Sequence, residues 1–371
     1  MQILSPSRIG SSQYTPTEVV SMYQPGKTVC LPVLFCSLLG TLFLKEPQLA
    51  AQGFESGLRL CVDTVLPALF PFFVLTDLLL SCPFRGDCFR PAARCLGMQN
   101  SIGILVILIS WLGGYAVCAR LVGELRRSQL LDERDASLVL LLGCCSSPGF
   151  VIGCVGGLLL GNLRLGVLLY LLQLAANLLA AAFCLSLLPK NSSCHSDAPN
   201  KVPKQPSLSI SINNAVSSSL QVCGCVLFFR MAEAVLLPML PDNRLTVPLT
   251  SACLEISAGC ADFAALGGGF ALYGCCICLS LLGLSVWVQL SMLLQGALPM
   301  KLLLVHRALH LIMFLFMVRF CVYFLPGTTA VYRSMAPRVI TAQRLPIDAT
   351  IIVFLFLCAS LYKVRQNFYN K

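Results

Sequence analysis

The residues of this chain that could do chemistry are few, and most stand inside long apolar runs. Glu255 lies in Leu254-Glu-Ile-Ser-Ala-Gly259, and Gln289 closes Gly283-Leu-Ser-Val-Trp-Val-Gln289. Ser146, Ser147 and Gly149 interrupt another run around Pro148. An ionisable or amide group at membrane depth is costly and normally faces an interior or a cavity. Backbone opened by Gly or Pro there offers unpaired N–H and C=O groups, and the adjoining helix ends carry partial charge. These residues therefore form a candidate substrate-binding set, Ser146, Ser147, Gly149, Glu255, Gly259, Gly283 and Gln289, suited to a small polar solute or ion. Plainer roles stand beside each. Glu255 also fits an acid at the membrane surface, because Pro248, Thr250 and Ser251 precede it. Gln289 fits interhelical hydrogen bonding, and the Ser146–Gly149 break fits a simple kink.

Other polar groups read as structural. Arg230 and Glu233 stand three apart on one helix face, the spacing of an internal ion pair. Asp63 and Asp77 flank a segment containing Pro67 and Pro71 and are expected at the interface. His306 and His310 have the spacing of two metal ligands but lack a third; next to Lys301 and Arg307 they read as an interfacial face. The sequence has no HExxH motif, no Walker-type loop and no convincing Ser/His or paired-Asp arrangement, so no catalytic residue and no enzyme is expected. Many of the 21 cysteines lie inside apolar runs, as at Cys144, Cys145, Cys275, Cys276 and Cys278. There they serve as small packing residues. Cys82, Cys88 and Cys95 lack the close-paired spacing of a zinc site. No metal, cofactor or disulfide is expected.

The elements that carry these groups follow from composition. Hydrophobic residues make up 57% of the 371, charged residues 11%, and the mean hydropathy is +0.82. A soluble domain carries about a quarter charged residues; this chain cannot cover a globular surface with ions, but a bilayer accepts an apolar exterior. The net charge of +10 sits largely in short connectors, without the interleaved aromatics of a nucleic-acid surface. Candidate spans are Thr28–Leu44, Leu58–Ser81, Ser101–Val122, Ser137–Leu160, Leu163–Leu188, Ala215–Leu240, Phe270–Leu282, Ser285–Met300, Leu302–Leu325 and Ile347–Tyr362. The polar first 27 residues, with Pro16 and Pro25, make the first run an uncleaved span rather than a leader, despite Ala50 and Ala51. The expected fold is all-α, a polytopic membrane helix bundle of about 8–10 spans, each needing some twenty apolar residues. Its place is the cell membrane, multi-pass, with the lipid bilayer as its first partner.

The chain also divides. A polar tail (1–27) precedes a first membrane repeat (28–188); a polar linker (189–207) leads to a second repeat (208–326), and a polar connector with a final span closes it (327–371). Each half runs from an apolar segment to a Gly-containing element, then to a Cys-rich broken helix, then to a long span. Broken or re-entrant helices at matched places in two pseudo-symmetric repeats mark a transporter site. Arg85, Arg90 and Arg94 in one connector, and Lys190, Lys201 and Lys204 in another, place both on the cytoplasmic face if Ser137–Leu160 is re-entrant.

The same motifs carry a resemblance. Leu66-Pro-Ala-Leu-Phe-Pro-Phe-Phe73, Gly113-Gly-Tyr-Ala-Val-Cys-Ala-Arg120, Ser146-Ser-Pro-Gly-Phe-Val-Ile-Gly153, Leu254–Gly259 and Gly283–Gln289 occur in the order seen in the YlbJ-type sporulation integral membrane proteins. The segment Glu124-Leu-Arg-Arg127 resembles that family's charged helix. The resemblance covers about residues 58–325 and implies membership of the Gate-domain group, with the membrane parts of concentrative nucleoside transporters and ferrous-iron transporters. It departs at Ala116 and Cys118, where the family has Pro and Gly, which implies a less unwound backbone in the first-half helix. It implies a permease for a nucleoside-like solute or ion associated with sporulation. The alternative is a non-transporting membrane component of spore envelope assembly. Lacking a GTPase domain, the chain differs from a complete ferrous-iron transporter. It could act with copies of itself or with a partner membrane subunit.

Overall fold

The computed structural model describes residues 30–81, 89–187, 208–241 and 243–324. The polar tail, the linker, the connector, the final span and Cys82 and Cys88 lie outside the described residues. Within them the chain is all-α. Helices α1 (Cys30–Lys45) and α2 (Pro47–Leu60) run into a π-turn, Cys61–Val65, and then α3 (Leu66–Ser81). The π-turn has a local cause. Pro67 brings no N–H to the ladder, and the Leu66 N–H reaches back five residues to the Cys61 carbonyl.

After a short α4 (Arg90–Cys95), α5 (Ile102–Gly113) and α6 (Tyr115–Arg127) are separated by Gly114 at φ +85°. Asp132 starts α7 (Glu133–Gly143) by accepting from the Asp135 N–H at 2.7 Å. Cys144 to Ser147 leave the helical path, and the chain resumes as a π-helical segment, Gly149–Leu159. Asn162 then caps α8 (Leu163–Cys184) through the Leu165 N–H.

The second half repeats the order. A long α9 (Leu208–Leu236) precedes α10 (Thr246–Leu254) and α11 (Ile256–Leu266), parted by an extended Glu255. Next come α12 (Gly268–Leu281) and α13 (Gly283–Leu294), parted by Leu282 and Gly283, both left-handed at φ +72° and +67°. The long α14 (Lys301–Phe324) closes the described chain. So α3, α5–α6, α7–π-segment and α8 are answered by α9, α10–α11, α12–α13 and α14.

Packing follows that order. Helix α3 packs on its counterpart α9, and α8 packs on its counterpart α14. The cross-contact of α6 with α13 is answered by that of the π-segment with α11. Four helical stretches are long and apolar enough to cross a membrane among the described residues: Leu163–Cys184, Leu208–Met239, Gly268–Leu294 and Lys301–Phe324. The third includes the break at Leu282, so Phe270–Leu282 and Ser285–Met300, expected as two spans, form one interrupted rod. The outer surface is aliphatic and aromatic, with Leu171, Phe183, Leu220, Ile312, Phe316 and Phe320 exposed. Such a surface suits lipid tails. The chain is a multi-pass membrane protein.

Candidate functional site

In the first half the two helix breaks touch. A Cβ added to Gly114 would stand 3.2 Å from the Ser147 nitrogen and 3.3 Å from its Cβ. Gly114 also holds a backbone angle that side chains avoid. The early stop of α7 would leave its last carbonyls orphaned. Side chains of neighbouring helices bond them instead. Asn177 Nδ2 donates to the Leu141 and Leu142 carbonyls at 3.0 and 2.8 Å. Trp111 Nε1 also donates to the Leu142 carbonyl. Gln173 Nε2 donates to the Ser146 carbonyl at 3.1 Å. Ser147 Oγ accepts from the Phe150 N–H and so caps the π-segment. Ser146 Oγ and Gln173 Oε1 are buried and have no protein partner. Gly149, by contrast, is exposed.

The second half is built alike. Glu255, only 2% exposed, turns its carboxylate onto the helix it begins, accepting from the Ala258 N–H at 2.8 Å. It is therefore not a solvent-exposed acid; it is a buried N-cap for α11, where a negative charge meets a positive helix end. A Cβ on Gly283 would stand 3.1 Å from the Ala252 carbonyl and 3.4 Å from the Glu255 nitrogen. The two breaks thus abut here as well. Gly259 packs directly on the Ala252 backbone, where a Cβ would overlap the Cα at 2.5 Å. Gln289 Nε2 meets Ser285 Oγ at 3.1 Å, and its Oε1 is buried without a protein partner. Tyr115 and Cys154, from the first half, lie within electrostatic reach of Glu255.

One side chain links the halves. Arg307, 1% exposed, is the largest fully buried side chain among the described residues. Its Nε donates to the Ser280 carbonyl at 2.8 Å and its Nη2 to the Leu279 carbonyl at 2.8 Å, both at the end of α12. Its Nη1 donates to the Cys144 carbonyl at 3.0 Å, past the end of α7, and to Asn177 Oδ1 at 3.3 Å. His310 Nδ1 lies near both Arg307 Nη2 and Ser280 Oγ, while its Nε2 faces the Gln173 carbonyl. His306 Nε2 faces the Asn177 carbonyl at 3.2 Å. Both histidines are fully buried. The interfacial face expected for His306, Arg307 and His310 is thereby corrected: they form the inward face of α14, because helix-end carbonyls for Arg307 and α8 carbonyls for the histidines supply the acceptors water would supply at a surface. Sequence reading also passed over Gln173 and Asn177. Their four-residue spacing in an apolar helix was the available sign.

Two ion pairs flank the site. Asp77 Oδ1 accepts from Arg120 Nη2 at 2.6 Å, and Asn214 Nδ2 donates to Asp77 Oδ2 at 3.1 Å. Arg120 also lies over the Phe73 ring. Asp77 is 5% exposed, so its expected interfacial position is corrected; Asp63 is exposed. The reason is Arg120, which offsets the charge from another helix. Arg230 and Glu233 form the expected pair at 2.7 Å, and Ser251 Oγ bonds both Glu233 and Asp262.

Among known proteins, the chain is 28% identical over 158 residues to the Sporulation integral membrane protein YlbJ of Bacillus subtilis (strain 168), a stretch that is 41% of this chain and 38% of that protein. Over that stretch the chain is similar to YlbJ. The likeness to YlbJ-type proteins drawn from its motifs is borne out, and its membrane character agrees with the description of that relative as an integral membrane protein. The alignment spans well under half the length of that relative. No family model matches the chain, and no solved structure matches it.

Proposed function

We propose that this YlbJ-like chain is a permease for a small polar solute, built on two repeats of broken helices as in the Gate-domain group. One observation carries the reading. In each half two helix breaks abut, Gly114 on Ser147 and Gly283 on Glu255, with unpartnered polar atoms on the helices that form or brace them. Leaving a buried polar atom unpaired costs about 1–3 kcal/mol. Ser146 Oγ, Gln173 Oε1 and Gln289 Oε1 are three such atoms. A solute passing between the breaks supplies their partners. The two amide oxygens accept hydrogen bonds, so the favoured solute presents N–H or O–H donors, as a nucleoside-like molecule does. An anion does not fit them. Glu255 orders α11 instead of performing catalysis, and the reading is non-enzymatic.

Proteoliposomes containing the purified chain test it. Uptake of a donor-rich solute, diminished by Gln289→Ala with the fold retained, is the expected outcome. Failure to move any nucleoside, ion or small metabolite overturns the permease reading. The relative's description as a sporulation protein favours a second reading, a membrane component needed for spore envelope assembly. Deletion in a spore-forming host tests it, and normal heat-resistant spores overturn it.

A further inference from the structure

We propose that Arg307 is a resident cation, permanently occupying the point where the carbonyl ends of one broken helix from each half converge. This rests on the helix-break geometry alone and is independent of the permease reading.

A guanidinium carries five N–H donors and no acceptor. At Arg307 each faces an acceptor: the carbonyls of Ser280, Leu279 and Cys144, the amide oxygen of Asn177, and His310 Nδ1. All are neutral, and among the described residues the ion pairs are made by other groups. The charge is nevertheless compensated. A helix C-terminus carries roughly half a negative charge. Helices α7 and α12 both end on this guanidinium, so together they present about one unit of negative charge to one positive charge.

Half-helix C-termini and unwound carbonyls are the groups with which ion-coupled transporters hold a free cation. Here the same constellation is filled by a cation tethered to α14. Two consequences follow. The position binds no free sodium ion in the native protein, and the breaks of the two halves are joined through one side chain. His306 and His310, one on each side of Arg307, bond the backbone carbonyls of Asn177 and Gln173 and hold α14 against α8. They fix the helix that carries the cation.

Thermal unfolding of the full chain in detergent tests this, using Arg307→Ala, Arg307→Lys and Arg307→Met. Wild type is expected to unfold at the same temperature in sodium and choline chloride and to ignore millimolar guanidinium. Arg307→Ala is expected to unfold at lower temperature and to recover part of the loss in millimolar guanidinium. Rescue of that kind requires an emptied cation position; a side chain that only fills space would not produce it. No rescue of a folded Arg307→Ala, or a sodium-dependent rise in wild type, overturns the proposal. Should Arg307→Ala not fold, the other two variants decide: Lys more stable than Met supports a resident cation, and Met equal to or above Lys overturns it.

Discussion

Arg120 Nη2 donates to Asp77 Oδ1 across 2.6 Å, joining α6 to α3 inside the bundle. Both side chains are almost wholly buried. Breaking such a pair by removing one partner leaves a lone buried charge, at a cost of about 3–5 kcal/mol. Asp77→Ala and Arg120→Ala are each expected to lower the unfolding temperature sharply. Asp77→Ala combined with Arg120→Ala is expected to lose less than the two single losses added together, which a double-mutant comparison by thermal unfolding measures.

Gly114→Ala is expected to destabilise by about 1–3 kcal/mol, the cost of forcing a side chain into a backbone region reserved for glycine. The facing Ser147 backbone adds to it. Gly224 is the control: it is helical and has open space around it. Alanine there is expected to be neutral or to stabilise by up to about 1 kcal/mol. Unfolding midpoints of the two variants should move in opposite directions or differ clearly.

Glu255 caps α11 with its own carboxylate. Replacing a cap with alanine costs about 0.5–2 kcal/mol, and the cost is smaller when another capping side chain is supplied. Glu255→Ala is therefore expected to unfold earlier than Glu255→Asp. Equal midpoints for the two variants would show that the cap contributes nothing.

Gln289 has the opposite signature. Its Oε1 is buried and unpartnered, so an apolar replacement of similar shape removes an unsatisfied atom. Gln289→Met is expected to keep stability within about 1 kcal/mol of wild type, or to raise it. Solute-induced thermal stabilisation should fall in the same variant. A large stability loss with an unchanged solute response would make Gln289 purely structural.

Much of this architecture was legible in the sequence. Charge scarcity placed the chain in a bilayer, and Gly and Pro marked the breaks at Ser146–Gly149 and Gly283 because local backbone chemistry dictates them. The Arg230–Glu233 pair was readable from spacing on a single helix. Asp77 and the α14 histidines were not. Their partners lie far along the chain, Arg120 for Asp77 and the Gln173 and Asn177 carbonyls for His310 and His306. An isolated polar residue near the end of an apolar run looks interfacial until tertiary structure supplies its partner. Arg307 was obscured in the same way. No sequence rule anticipates that two helices will stop at one side chain.

The pairing of α3 with α9 and of α8 with α14 has a further consequence. Contacts between counterparts are the signature of an isologous interface, the kind a two-fold dimer uses. Here that interface is contained within one polypeptide. In a dimer of identical subunits, an arginine at the Arg307 position would appear twice and confront its own copy. Covalent fusion removes that constraint: α14 supplies the guanidinium, while α8 supplies Asn177 to receive it.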